Sequence, residues 1–138
     1  MPQHYTKPFY IFFLIMPMGI SQGFITVTLP FMLTQNGFSV ALTAGIVAIG
    51  ISANLWRFVW GPIVDLSLSL HKWYWLSMSA SIASLLLICS IPFTIKGETL
   101  LSVIVFISQV AATIALLPLN GIMAKQIHEN KKGEASGW

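Results

Sequence analysis

Apolar residues occur along this chain in four long runs that short polar segments separate. The runs predict four helices, over residues 9–33, 41–64, 73–94 and 99–123. Each is long enough to cross the apolar core of a bilayer, which needs about 20 residues in a helix that rises 1.5 Å per residue. The connecting segments are too short to hold a soluble domain. Residues 1–138 are therefore predicted to form one all-α, polytopic membrane bundle, with a tail at 124–138.

The composition indicates that lipid is the main solvent of this chain. Only 8% of the residues are charged and 56% are hydrophobic, whereas a soluble domain carries about 25% charged residues. So few charges cannot solvate a protein surface, which excludes a soluble enzyme and a disordered tail. The net charge of +3 comes from scattered basic residues, so no nucleic-acid partner is expected. The single cysteine, Cys89, is expected to pack as a small hydrophobe.

The distribution of lysines predicts the orientation, because positively charged flanks stay on the cytoplasmic side. Only Lys96 falls on one side of the predicted membrane. The other side receives Lys7, Lys72, Lys125, Lys131 and Lys132. The N-terminus, the second loop and the C-terminal tail are thus assigned to the cytoplasm, and the expected location is the cell membrane, with a bacterial inner membrane favoured. The first run is too long for a signal peptide and lacks a small-residue cleavage pattern, so it is interpreted as a retained helix.

Small and polar residues inside the runs mark the faces that are expected to meet protein or water instead of lipid. The second helix has the clearest pattern, a stripe with spacings of four, three, four and four. Its members are Gly50, Asn54, Arg57, Gly61 and Asp65. For Arg57, two roles stay open: an anchor that snorkels to the interface, or a charge that lines a pathway. Asp65 stands at the predicted end of its helix and needs a positive partner, either the His71–Lys72 pair or the N-terminus of another helix.

The other three helices carry weaker patterns. In the first, Gly19 and Gly23 form a small-xxx-small pair, Gln22 and Thr26 share a face, and Pro17 and Pro30 are expected to bend the helix. The third offers a small, uncharged packing surface of Ser77, Ser81 and Ser84. The fourth carries Gln109, Thr113 and Asn120 at spacings of four and seven, beside Pro118. Side chains of this kind bond a neighbouring helix more often than a ligand.

Enzymatic chemistry is not expected from this sequence. It contains no histidine and carboxylate cluster with metal-ligand spacing, no nucleophile beside a base and no glycine-rich phosphate cradle. No cofactor and no metal are therefore predicted. His4, His71 and His128 are all assigned to loops, so no proton relay is expected within the bundle.

The segment from Arg57 to Asp65, which reads RFVWGPIVD and precedes His71-Lys72-Trp73, resembles the loop between helices two and three of the major facilitator superfamily. The family signature there is a glycine, three residues, an aspartate and then basic residues. Gly61 and Asp65 match it, whereas Leu66 stands where the family usually has a basic residue. The aromatic and basic context is most similar to the muropeptide-permease and acetyl-coenzyme A transporter branch, as is the glycine-rich tail from 132 to 138.

This resemblance implies that the chain corresponds to the first four of about twelve transporter helices. Helices one and four would line the central cavity, helix two would meet the opposite half, and helix three would lie outside. The residues matching the cavity positions are Gln22, Thr26, Asn54, Gln109, Thr113 and Asn120. Those matching the cytoplasmic gate are Arg57, Gly61, Asp65 and Lys72, with Asp65 as a latch against the other half.

The favoured function is secondary active or facilitative transport of a small solute by alternating access. Two alternatives stay open. One is a self-contained four-helix transporter that works as a dimer, although small pumps of that kind need a glutamate in helix one, which this chain lacks. The other is a membrane scaffold that transports nothing. The expected partners are the lipid bilayer, a small-molecule solute, and either the remaining helices of a longer transporter or a second protomer.

Overall fold

The structure, a computed structural model, describes residues 9–92 and 97–127 together with residues 133 and 137. This part of the chain forms four long helices. They are α1 (Phe9–Gln35), α2 (Val40–Ser67), α3 (Leu70–Ser90) and α4 (Glu98–Gln126). All four are long and apolar enough to cross a membrane, so the prediction of an all-α, polytopic membrane protein is confirmed. Several residues used above lie outside the described residues: His4, Lys7, Lys96, His128, Lys131, Lys132 and most of the tail.

The connections between the first helices are short and defined by capping residues. Gly37 adopts a φ of 85° in the turn after α1, a left-handed conformation that favours glycine. Ser39 then caps α2, since its side chain accepts a hydrogen bond from the backbone N–H of Leu42 at 3.2 Å. Only Leu68 and Ser69, both extended, separate α2 from α3.

This short connection changes the assignment of the residues around it. The sequence predicted a loop over Asp65–Lys72, but α2 continues to Ser67 and α3 already begins at Leu70. Asp65 therefore lies inside the last turn of α2. His71, expected in a loop, and Lys72 lie in the first turn of α3, where both are exposed.

The core of the bundle is built around α4, which packs against each of the other three helices. Half of its membrane-spanning segment is buried, against 17–28% for the other three. The larger apolar core joins α1, α2 and the first half of α4 through Ile25, Leu29, Ile46 and Val105. A smaller core closes the opposite end with Ile11, Leu119 and Ile127.

The serine face of α3 packs against α4, as the sequence predicts. Ser77, Ser81 and Ser84 are all buried, and α3 and α4 form the most extensive helix pair of the bundle. The hydroxyl of Ser77 donates to the carbonyl oxygen of Trp73 at 2.6 Å, and that of Ser84 to Ala80 at 2.8 Å. Because these hydroxyls are satisfied within α3, they need no partner on α4, and the small side chains let the two backbones approach closely.

The outer surface carries large apolar side chains, the reverse of a soluble protein. Leu66, for example, is 87% exposed, and Phe31 and Leu86 are 63% exposed each. Cys89, which was expected to pack inside, instead lies on this exposed surface. Polar side chains such as Ser21 and Gln109 are buried. This distribution suits helices whose outer faces contact lipid.

A single hydrogen bond ties α3 to α1 beside a proline. The hydroxyl of Tyr74 donates to the backbone oxygen of Leu14 at 2.8 Å. Leu14 lies close to Pro17, which has no N–H and therefore leaves one carbonyl of α1 without its usual donor. Tyr74 thus fastens α3 to α1 next to Phe13, whose carbonyl lacks the donor that Pro17 cannot supply.

Replacing Tyr74 by phenylalanine removes this bond and keeps the ring. We expect Tyr74→Phe to lower the free energy of unfolding by about 1 kcal/mol, within the range of single hydrogen bonds measured in membrane proteins. Unfolding of the purified protein in mixed micelles, followed by circular dichroism during a dodecyl sulfate titration, measures it. Tyr10→Phe is the control, because Tyr10 is 54% exposed. Equal stability of the two variants would contradict a role for the Tyr74 bond.

Candidate functional site

Four polar side chains meet where α1, α2 and α4 come together, and we call them the polar cluster: Ser21, Asn54, Gln109 and Thr113. The side-chain nitrogen of Gln109 donates to the hydroxyl of Ser21 at 3.2 Å. The hydroxyl of Thr113 donates to Oδ1 of Asn54 at 3.3 Å. Gln109 is only 1% exposed, although it lies in the most apolar part of the chain. The cluster therefore bonds α4 to both α1 and α2.

A glycine allows this close approach. A Cβ atom at Gly50 would lie 3.0 Å from Val105 and 3.2 Å from Ile25, with Gln109 at 3.5 Å. Gly50 faces Gln109, and Asn54 faces Thr113, so both contacts join residues 59 positions apart. A constant separation means that α2 and α4 run side by side in the same direction. The stripe predicted on α2 is thus an interface with α4 over its first half.

The backbone of α1 departs from α-helical geometry next to the polar cluster. A π-helical turn occupies Phe24–Thr28, in which the N–H of Leu29 bonds to the carbonyl of Phe24, five residues earlier. The cause is Pro30, which has no N–H and whose ring crowds the carbonyl of Thr26. The bend predicted at Pro30 therefore takes the form of a widened turn. Such turns occur frequently at functional sites.

The backbone of α2 is interrupted at a similar depth. A 3₁₀ turn occupies Ala53–Trp56, in which the N–H of Arg57 bonds to the carbonyl of Asn54, three residues earlier. Asn54 also donates its side-chain amide to the carbonyl of Ile51 at 3.2 Å. α4, by contrast, continues as an α-helix through Pro118.

Arg57 comes directly after this turn and carries a charge without a partner. Its side chain is half-buried, its Nε is buried without a hydrogen-bond partner, and it forms no ion pair within the described part of the chain. Arg57 lies ten positions before the end of α2 at Ser67, which corresponds to about 15 Å along the helix axis.

The remaining residues predicted from the sequence lie apart from the polar cluster. Gln22 is half-buried, and Thr26 is exposed with its hydroxyl donating to the carbonyl of Gln22 at 2.8 Å. Asn120 is exposed, next to the buried Leu119 of the smaller core. Gly61 is half-buried, and no atom lies within 4 Å of the position that its Cβ would take.

Two of the predicted gate residues, Asp65 and Lys72, lie at the end of the bundle that holds the connection between α2 and α3, whereas Arg57 and Gly61 lie further inside α2. Asp65 is exposed there and lines a cavity of about 350 Å³ together with Ser69, His71 and Lys125. His71 and Lys125 thus share the cavity with the carboxylate of Asp65. Lys72 does not line this cavity and is exposed on α3. Gly61, one turn earlier on α2, does not line this cavity.

Three hydroxyl residues were not predicted from the sequence. Ser21 belongs to the polar cluster, and the hydroxyls of Thr43 and Ser108 are buried without a hydrogen-bond partner in the described structure. The one signal in the sequence for Ser21 is that it lies four positions before Ile25, which is also buried. That spacing indicates a shared buried face only when the π turn is taken into account.

Comparison with protein-family models, with curated proteins and with solved structures finds no match for this chain.

Proposed function

We propose that this chain is the N-terminal part of a secondary transporter that moves a small solute across the cell membrane by alternating access. The observation that supports this most is the pair of irregular turns, the π turn of α1 and the 3₁₀ turn of α2, beside the polar cluster. Irregular backbone at membrane depth is tolerated where it is buried in protein or lines a water-filled cavity. Many transporters bind their solutes near the middle of the bilayer, at helices whose regular backbone is interrupted.

A small and polar face of α1 supports the same proposal. No atom of another helix lies within 4 Å of the Cβ positions of Gly19 and Gly23, and Thr26 on the same face is exposed. Glycine and threonine at such depth are typical of helix interfaces and water-lined paths, not of lipid contacts. We propose that this face meets the solute path, and beyond it either the remaining helices of a longer transporter or a second protomer.

The placement of the charged ends completes the proposal. The resemblance of Gly61–Asp65 to the gate segment of the major facilitator superfamily, together with the lysine distribution, supports a cytoplasmic position for the end that holds Asp65, His71 and Lys125. The N-terminus and the tail would lie on the same side, and the membrane would be a bacterial inner membrane. In this arrangement the Asp65 carboxylate forms the latch that closes the path on the cytoplasmic side.

Counterflow in proteoliposomes tests the proposed function. The purified full-length protein is reconstituted, the vesicles are loaded with one unlabelled solute at a time, and uptake of the labelled solute is followed. We expect saturable counterflow for at least one solute of a panel of sugars, amino acids, organic acids and phosphate esters. A complete panel without counterflow, from protein that remains folded by circular dichroism, would favour the scaffold.

Asp65→Asn tests the gate within the same assay. We expect the variant to insert normally and to transport about tenfold more slowly, since losing a gate contact of about 1.4 kcal/mol changes a population tenfold. Glu98→Gln is the matched control, because it removes a carboxylate at the opposite end of the bundle. Wild-type rates for Asp65→Asn would remove Asp65 from the mechanism.

A further inference from the structure

We infer that the solute carries an anionic group, a carboxylate or a phosphate, and that Arg57 binds this group beside the polar cluster. The inference rests on the proposed function and deepens it. It depends on three observations about Arg57: its charge has no ion-pair partner in the described part of the chain, its polar neighbours bond elsewhere, and space is open one turn further along its helix.

The charge of Arg57 has no counterpart at its depth. Of the acidic residues that the structure describes, Asp65 lies eight positions further along α2, about 12 Å away along the helix axis, and Glu98 begins α4 at the other end of the bundle. The separation of 59 positions between facing residues puts Arg57 level with Leu116 of α4, an apolar side chain. A cation that is half-buried in an apolar helix bundle is costly unless an anion accompanies it. The described helices place no carboxylate close to the guanidinium of Arg57.

The polar side chains nearest to Arg57 bond to one another or to their own helix, and none of them bonds to Arg57. Oδ1 of Asn54 accepts from Thr113, and the amide of Asn54 is bonded to the carbonyl of Ile51. Gln109 is bonded to Ser21. A guanidinium carries five N–H donors in a planar fork and no acceptor. Its geometry matches two oxygens of a carboxylate or a phosphate, which is the ligand chemistry that these unfilled donors recognise.

Room for such a ligand lies one turn beyond Arg57. Gly61 is four positions further and shares a helix face with Arg57, and no atom lies within 4 Å of its Cβ position. Any larger residue at Gly61 would project into the space next to the guanidinium. Arg57 therefore has open space beside it on the same face of α2.

The experiment compares solutes of different charge in the counterflow assay, with the full-length protein. The probes are labelled succinate and glucose 6-phosphate as anions, glucose as a neutral solute and choline as a cation. We expect counterflow of succinate, of glucose 6-phosphate or of both, and the two arms distinguish a carboxylate from a phosphate. Arg57→Gln should reduce it about tenfold or more, because hydrogen bonds to charged groups are among the strongest in proteins. Arg57→Lys should retain part of it, and Lys96→Gln, which removes a cation elsewhere, should retain all of it.

A second measurement does not depend on the folding of a variant. Arg57 is the only arginine of this sequence, so its modification by an arginine-specific dicarbonyl reagent can be followed by mass spectrometry of a single peptide. The anion that shows counterflow should slow modification of wild-type protein about tenfold at saturation, whereas glucose should not. Counterflow of glucose or choline alone, or anion counterflow that is unchanged in Arg57→Gln, would overturn the inference and leave the transporter standing. Counterflow of another solute of the wider panel without counterflow of either anion would overturn the inference alone, whereas absence of counterflow across the whole panel would overturn both.

Discussion

Ser81→Leu is expected to force α3 away from α4 and to lower the free energy of unfolding by about 3 kcal/mol. Ser81 is 3% exposed and lies in the middle of the most extensive helix pair in the bundle. Leucine is much larger than serine, and it would stand at a position where the two backbones approach through small side chains. Overpacking of this kind forces strained rotamers and shifts the backbone. A dodecyl sulfate titration in mixed micelles, monitored by circular dichroism, measures the loss.

The same substitution two positions earlier supplies the control. Ser79 belongs to the same helix and is exposed, so leucine at this position would contact lipid. We expect Ser79→Leu to unfold at the wild-type concentration of dodecyl sulfate. Since the two variants have identical composition, their difference isolates the face of α3. If both variants lost the same stability, α3 would not pack through its serine face.

Gly50→Val is the second large effect that we expect, a loss of about 2 kcal/mol. The new Cβ would meet Val105 at 3.0 Å and Ile25 at 3.2 Å, and the two methyl groups would extend further into both neighbours. The contact joins three helices, so the change should also weaken the bond between Gln109 and Ser21. The unfolding titration described for Ser81 measures the stability of this variant as well.

Gly45→Val is the matched control for Gly50→Val. Gly45 lies in the same helix, is exposed and has no atom within 4 Å of its Cβ position. Both variants make the same change in helix propensity, so only the steric term separates them. A control as unstable as Gly50→Val would show that glycine is needed in α2 for its backbone and not for close packing.

Hydropathy alone predicts the four helices, because a helix that crosses lipid must be apolar along its whole length. The buried face of α3 is also predictable, since three serines at helical spacing can pack only where small side chains are useful. The residue at which α3 begins could not be predicted from hydropathy. Leu70, His71 and Lys72 look like loop residues in a polar stretch, yet Ser69 ends the connection and allows the helix to begin before the apolar run.

The candidate site was only partly predictable. The sequence singled out Asn54, Gln109 and Thr113, all of which take part in side-chain hydrogen bonds between helices. The sequence does not predict which helix each of these residues contacts. A polar residue in a membrane helix indicates that its face packs against another helix, but any of the other helices could be that partner. Gln22 and Thr26 share a face as expected, but neither is buried as Gln109 is. Ser21 escaped notice because serine is common in membrane helices and its bond is made across 88 positions of sequence.

The π turn of α1 affects the spacing of the buried residues along this helix. Ser21, Ile25, Leu29 and Leu33 are all buried and succeed one another at intervals of four. In an uninterrupted α-helix with 3.6 residues per turn, each such interval drifts by about 40°, so the last would point far from the first. The widened turn compensates for this drift and keeps the four buried residues on one face of α1. Deleting one residue between positions 24 and 28 would restore regular pitch and leave Ser21 and Leu29 seven positions apart, within about 20° of the same direction around the helix axis.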